Sequence, residues 1–363
     1  MAWAVSCFFR NGHCGGPRSC TNLSLREIFR KLNMSFSWLI NNLLRIWATG
    51  LSVFYLCNID QFAFSAGFGP PPKFWTVGLF LVTASLSFFG HDILAPMKRP
   101  VVWWGIGYLI VSIIWMAVAS DQVQAMDGLM QVLTTCLFIG MAAMIYPRIN
   151  QNNRWWIIGL WISLCLGMLS IALEYFDPAA FVFADAGIGI QGRAAGFYLN
   201  PNIAAQAMVL IYACLLTCSP RLLLVPASMI ALAGILFTLS RGGMVAWVAL
   251  TVLASTRRLL PKWYLPLLLF GVLMAGLVAP QIFGFFSGWV PAWNRNVQER
   301  LEWILGMRDM TGGSAADRLN VASYAWAQYL NAPLLGHGLG SMGQVMGDQG
   351  SHNMILRHLV EYG

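Results

Sequence analysis

The feature that most constrains this chain is a series of apolar segments, each long enough to cross a lipid bilayer. Nine segments are complete, and they cover residues 38–58, 74–90, 101–119, 128–146, 155–175, 199–217, 221–239, 243–256 and 264–286. A membrane-spanning helix needs about 20 mostly apolar residues. A tenth segment begins at about His352 and runs to the end of the sequence. The pattern predicts an all-α, polytopic transmembrane helical bundle of about ten spans.

Composition supports a membrane protein over a large soluble helical protein. The chain is 58% hydrophobic and only 10% charged, whereas a soluble domain typically carries about 25% charged residues. A soluble fold would also leave the repeated uncharged segments of membrane-spanning length without explanation.

The basic residues predict the orientation of the bundle, because cytoplasmic loops are enriched in lysine and arginine. With the N-terminus inside, the short outer loops hold only Lys73, Arg193 and Arg241. The inner segments then hold Arg10, Arg18, Arg26, Arg30, Lys31, Lys98, Arg99, Arg148, Arg154, Arg221, Arg257, Arg258 and Lys262. The net charge of +8 is therefore a topology signal, and we expect no nucleic-acid partner.

This orientation divides the chain into four parts. Residues 1–37 form a cytoplasmic tail, because their short apolar run lacks the preceding basic residues of a signal peptide. Residues 38–286 form the nine-span region, residues 287–351 a periplasmic loop, and residues 352–363 the start of a further span.

The long predicted loop 287–351 is rich in aromatic residues, which suits either a membrane-interface belt or stacking on sugar rings. These aromatics are Trp289, Trp293, Trp303, Tyr324, Trp326 and Tyr329. Within the loop, four residues fall on one face of a helix: Val321, Tyr324, Ala325 and Gln328. We therefore predict a short amphipathic helix over 315–330, lying on the outer surface.

The sequence predicts no metal site and no cofactor. None of the eight cysteines lies in a predicted outer segment, so no external disulfide is expected. The spacing of His13, Cys14 and Cys20 matches no standard zinc finger. The first outer loop offers Asp60 as its only acid, which is too few carboxylates for a metal-binding pair.

Three arginines are candidates for binding an anion on the outer side. They are Arg193, Arg241 and Arg318. A guanidinium group binds phosphate oxygens through two parallel hydrogen bonds. The alternative is that Arg193 and Arg241 anchor the chain at the membrane interface, and that Arg318 lies on a solvated helix face. Their shared side of the membrane favours the binding role.

His352 is the candidate general base. It opens the last apolar segment on the predicted outer side and is followed by Asn353. With Ser351 as N-cap, the helix dipole would lower its pKa and keep the imidazole neutral. The alternative is a polar residue that only caps the helix or marks the interface. His337, in a glycine-rich turn, and His358, farther along the helix, are weaker candidates.

Four stretches of the chain together resemble the O-antigen ligase and O-antigen polymerase family of bacterial inner-membrane proteins. They are GRAAGFYLNPNIAA (192–205), LSRGGMVAW (239–247), Arg318 to Trp326 with PLLGHGLGSM (333–342), and SHNMIL (351–356). The signature region is thus 192–363. The family usually continues with further helices after the His-Asn element, so the chain is expected to be truncated at Gly363.

The resemblance implies a GT-C-like fold and a metal-independent glycosyltransferase. Such an enzyme takes a glycan from an undecaprenyl-diphosphate-linked donor at the periplasmic face. The acceptor would be lipid A-core, a growing glycan or a protein. Carried over to this chain, His352 would deprotonate the acceptor hydroxyl, while Arg193, Arg241 and Arg318 would hold the diphosphate, and Asn353 would contact substrate.

A transporter of an anionic small molecule is the main alternative function. In that case the arginines would line its pathway. Transporters often show internal repeats with interrupted helices in matching positions, and no such repeat is found in the sequence. A structural scaffold would give no reason to gather arginine and histidine on one side. Ligase and polymerase remain open within the enzyme class.

The topology prediction can be tested with reporter fusions. A fusion at Arg258 should report the cytoplasm and a fusion at Gly313 the periplasm, because nine crossings separate the N-terminus from the long loop. The same compartment for both fusions would contradict the predicted span count.

Overall fold

The computed structural model describes residues 25–89, 95–149, 154–177, 181, 194–268, 270, 314–341 and 354–363. In these residues the regular structure is helical, and no strand occurs. The α-helices are α1 (Leu25–Leu56), α2 (Ile59–Ser65), α3 (Pro72–Phe89), α4 (Pro100–Val118), α5 (Gln122–Ile149), α6 (Arg154–Phe176), α7 (Pro201–Cys218), α8 (Arg221–Thr238), α9 (Arg241–Thr256), α10 (Ser314–Asn331) and α11 (Met354–Tyr362). Short 3-10 helices occupy Ala95–Lys98 and Gly196–Tyr198.

The structure confirms the all-α class and several of the predicted spans. In the described part of the chain, five helices are long and apolar enough to cross a membrane: Pro100–Val118, Gln122–Ile145, Arg154–Phe176, Pro201–Cys218 and Arg221–Thr238. Helices α1, α3 and α9 coincide with three further predicted spans but are not among these five. The total of about ten spans stays a prediction, and most of the ninth segment lies outside the described residues.

The starts of the helices follow local sequence. Pro100 and Pro201 stand in the first turns of α4 and α7, where the missing proline N–H leaves no hydrogen bond unmade. The carboxylate of Asp121 accepts the amides of Val123 and Gln124 at 2.9 and 3.2 Å, which caps α5. In lipid, a chain must satisfy its backbone groups internally, so helices with capped ends are the stable solution.

The main core lies between α6, α7, α8 and α9. Its largest fully buried side chains include Trp247 and Tyr212. Small residues on one face of α6 allow close approach of its neighbours, as is typical of membrane helices. These buried small residues are Gly159, Ser163, Gly167 and Ser170.

The first helices pack around this core through polar as well as apolar contacts. Helix α1 packs on α6, and the hydroxyl of Thr49 donates to the carbonyl of Trp155 at 2.9 Å. Helix α3 packs on α5. It is also bonded to α1, because the indole of Trp47 on α1 donates to the hydroxyl of Thr83 on α3 at 2.9 Å. These side-chain bonds fix helix registers that apolar packing alone would leave loose.

The C-terminal helices α10 and α11 pack on one another, and α11 also contacts α4. The predicted helix over 315–330 is confirmed as α10, and buried Ala325 on α10 packs with buried Val360 on α11. Helix α11 also bonds to α4, because the hydroxyls of Ser112 and Tyr362 lie 2.9 Å apart. The placement of α10 on the outer membrane surface stays a prediction.

The close contact between α7 and α9 should be sensitive to a single methyl group. A Cβ at Gly243 would lie 2.5 Å from the Ala205 Cβ, so Gly243→Ala should destabilise the protein by about 1–3 kcal/mol. The measurement is thermal unfolding of the purified protein in detergent.

Gly242 is the matched control for that substitution. It lies in the same first turn, and a Cβ there would meet nothing within 4 Å. Gly242→Ala should leave stability unchanged or raise it by about 0.4–1 kcal/mol, because alanine restricts the unfolded chain. Equal effects at both positions would contradict the close helix contact.

Candidate functional site

The N-termini of α7 and α9 meet in the structure. The hydroxyl of Ser240, just before α9, donates to the Asn202 side-chain oxygen in the first turn of α7 at 3.2 Å. One turn farther along each helix, Gly243 lies against Ala205. The first turns of the two helices are therefore in direct contact.

Both helix starts are capped by side chains. Asn200 accepts the amide of Asn202 at 2.9 Å, and Ser240 accepts the amide of Gly243 at 3.4 Å. The N-terminus of a helix carries a partial positive charge and favours an anion nearby. Arg241, half-buried, is the first residue of α9. Arg241 thus begins α9 at the place where the two helix ends meet.

The segment that leads into α7 is held by the ends of two other helices. The buried Ala194 donates its amide to the Phe237 carbonyl in the last turn of α8 at 3.3 Å. Glu174, in the last turn of α6, accepts the amides of Ala195 and Gly196 at 2.6 and 2.5 Å on the same carboxylate oxygen, Oε2.

The same segment packs closely on α6. The amide of Phe197 donates to the Ser170 hydroxyl at 3.5 Å. Gly196 has φ +57°, and a Cβ there would clash with Ser170, so only glycine suits the position. Tyr198 is buried, and a Cβ added at Gly167 would lie 2.6 Å from its hydroxyl oxygen.

Helix α2 covers this segment from the other side. The rings of Phe62 and Phe197 meet edge to face, with centroids 4.8 Å apart. Asp60, in the first turn of α2, is 8% exposed, and burial raises the pKa of its carboxyl group. The loop at residues 194–200 is therefore enclosed between α2 and α6.

The structure places the predicted arginines unequally. The segment that directly follows Arg193 contacts the region just before Arg241 at two points. Ala194 is bonded to Phe237, and Asn202 is bonded to Ser240. Arg193 itself lies outside the described residues. Arg318 stands in the first half of α10. His352 and Asn353 also lie outside the described residues, and their roles stay predictions.

The two weaker histidine candidates make structural contacts. His337 Nε2 lies 3.0 Å from the Gln328 carbonyl oxygen, and its backbone amide donates to the Val360 carbonyl at 2.8 Å. His358 Nε2 lies 3.1 Å from the Tyr108 hydroxyl. His337 thus ties its turn to α10 and α11, in keeping with the prediction that it serves the turn.

Sequence reasoning missed Glu174. It lies within the predicted span 155–175 as the only charged residue there. A lone acid near the end of an apolar span is costly and is a functional candidate by default. That signal could have drawn attention to the residue, although its partners could not have been named, since they are backbone amides distant in sequence.

Within the described residues, no group of three or more histidine, cysteine, aspartate or glutamate side chains could hold a metal ion. The predicted metal independence is not tested by this finding. What the described site offers is fixed positive charge and backbone dipoles, which suit an anionic ligand such as a phosphate group.

Part of the chain matches the model of a known family. The family model described as O-antigen ligase matches residues 226–363. No match was found among curated proteins or among solved structures. The matched region contains Arg241, Arg318 and His352. The stretch 192–205, with Arg193, lies before it. The family resemblance seen in the sequence is confirmed. The family implies a glycosyltransferase-type enzyme that acts on lipid-linked glycans in O-antigen biosynthesis.

Proposed function

We propose that this protein, whose residues 226–363 match the O-antigen ligase family model, transfers a glycan from an undecaprenyl-diphosphate-linked donor to an acceptor hydroxyl at the periplasmic face. The observation that carries the proposal is the meeting of the α7 and α9 N-termini beside Arg241. The apolar helices and the family together support a membrane protein, and we place it in the bacterial inner membrane.

The donor diphosphate suits the charge of this site. Its phosphate oxygens would face the positive ends of α7 and α9. The guanidinium of Arg241 would bind two of those oxygens in parallel. We assign the same task to Arg193 and Arg318. Negative charge builds up on the diphosphate as it leaves, so fixed positive charge stabilises the transition state more than the ground state.

His352 supplies the base in this proposal. Its neutral imidazole accepts the proton of the acceptor hydroxyl. The acceptor oxygen forms a bond to the anomeric carbon of the donor sugar, while the bond from that carbon to the diphosphate oxygen breaks. The products are the extended acceptor, undecaprenyl diphosphate and a protonated His352. Asn353 contacts the substrate beside it, and no metal or cofactor takes part.

The acceptor distinguishes activities within the family. It could be lipid A-core, a growing glycan or a protein. A deletion strain would separate the first two, because loss of long chains attached to core indicates a ligase, whereas short single-unit products indicate a polymerase. The transporter alternative predicts no transfer by the purified protein.

The arginine assignment predicts that charge alone is not enough. Arg241→Lys and Arg193→Lys keep the positive charge but lose the paired hydrogen bonds. Each should lower transfer roughly tenfold or more, since a hydrogen bond to a charged group contributes about 1.5–3 kcal/mol. The assay is transfer from purified lipid-linked glycan in detergent, with membrane insertion checked for each variant.

The double variant tests whether the two arginines share a ligand. If both hold one diphosphate, the loss in the double lysine variant should differ from the sum of the single losses. Normal transfer rates for both single variants would show that these arginines are only interface anchors.

His352→Ala should insert and bind donor normally but transfer about 10²–10⁴-fold more slowly, because a general base typically contributes that factor. His337→Ala is the control and should transfer at close to the normal rate. The assay contains a chelator throughout. Full activity of His352→Ala would refute the assignment of the base, and loss of wild-type activity to the chelator would refute a metal-free mechanism.

A further inference from the structure

We propose that Glu174 is a positioning residue for the donor site, which it serves by holding the loop at residues 194–200 in place. This inference rests on the proposed function, since it assumes that the α7 and α9 N-termini bind the donor diphosphate. Glu174 itself is not assigned any contact with the substrate.

The carboxylate of Glu174 binds the backbone of the loop. Its Oε2 accepts two successive amides, those of Ala195 and Gly196. The Ser170 hydroxyl, one helical turn earlier on α6, receives the amide of Phe197. Three consecutive loop amides therefore end on one face of α6. An irregular loop among apolar helices needs such partners, because unsatisfied backbone groups are costly there.

The loop packs so closely on this face of α6 that an added methyl group would clash. Gly196 lies against Ser170 with a positive φ, and Tyr198 lies against Gly167. Gly167, Ser170 and Glu174 follow one another at helical spacing, so one side of α6 contacts residues 195–198 of the loop. Hydrogen bonds to a carboxylate are stronger than those to a neutral acceptor, so the two bonds to Glu174 hold the loop more firmly than the bond to the Ser170 hydroxyl.

The loop connects Glu174 to Arg241 through a short series of contacts. Residues 194–200 end at Asn200, which caps α7. The next turn holds Asn202, whose side chain accepts the Ser240 hydroxyl directly before Arg241. A shift of the loop would therefore move the start of α7 and its bond to the start of α9.

The negative charge of Glu174 allows a positioning role to be distinguished from no role at all. A carboxylate on the side where a diphosphate binds repels it, so Glu174 as a bystander would weaken donor binding. Its removal would then strengthen binding. If Glu174 holds the loop, its removal should weaken binding instead, because the helix N-termini lose their arrangement.

The first experiment compares three substitutions by donor affinity and turnover. Glu174→Ala removes both bonds, and Glu174→Asp is one methylene too short to reach the amides. Glu174→Gln keeps the reach, and its carbonyl oxygen can accept both amides, since both bonds end on one oxygen. We expect the alanine and aspartate variants to raise the KM for the donor about tenfold, and glutamine to stay within about threefold of wild type.

Asp177→Ala is the matched control. Asp177 is an exposed acid directly after α6, so it tests loss of negative charge near the same helix end. We expect it to leave the donor KM unchanged. A glutamine variant as impaired as alanine, or an alanine variant with unchanged or lower KM, would overturn the positioning role. If the alanine variant fails to fold, the aspartate and glutamine variants decide the question.

A double-mutant cycle tests the connection to Arg241. If Glu174 acts through that site, Glu174→Ala should add little to the loss of donor affinity already caused by Arg241→Ala. Independent, additive losses would overturn the connection.

Hydrogen exchange of the loop separates this inference from the proposed function. Without donor, amides 195 and 196 should exchange faster in Glu174→Ala than in wild type and in Asp177→Ala, because they lose their acceptor. Unchanged exchange would overturn the inference even if the wild type transfers glycan. Faster exchange with no transfer by the wild type would instead refute the proposed function and leave the loop attachment standing.

Discussion

The site depends on the close approach of the first turns of α7 and α9. Gly243 lies against Ala205 with no space for a side chain, and this proximity lets the Ser240 hydroxyl reach the Asn202 side chain. Two helix N-termini that meet add their partial charges at one place, which neither helix offers alone. Larger side chains at the contact would move the two helix ends apart. Their partial charges would then no longer add at the position of Arg241.

A second constraint comes from the apolar surroundings. A loop that enters such surroundings must bring its backbone groups to polar partners, and α6 provides these through Ser170 and Glu174. Glu174 thus shows a structural use for an acid in an apolar helix: its carboxylate accepts hydrogen bonds from backbone amides of the loop. The arrangement also explains why a glycine stands at 196, since the loop lies directly on the helix there.

Much of the candidate site could be predicted from local sequence, but not all of it. Arg241 was identified by its place in a polar turn between two apolar segments. The pattern around 315–330 predicted α10 correctly, because helical periodicity is a local property. Glu174 was missed because its partners lie about twenty residues away and are backbone amides, for which no residue type gives a signal.

The sequence by itself determined the all-helical class, the apolar helices and the match of residues 226–363 to the O-antigen ligase family model, because hydropathy, helix caps and motif spacing are local properties of the chain. Only the tertiary structure decided which helix ends meet. It joined the loop after Arg193 to the turn before Arg241, and it brought α11 onto α4 through Ser112 and Tyr362. Such pairings depend on how small residues let distant helices approach, and the order of residues along one helix does not specify its neighbours.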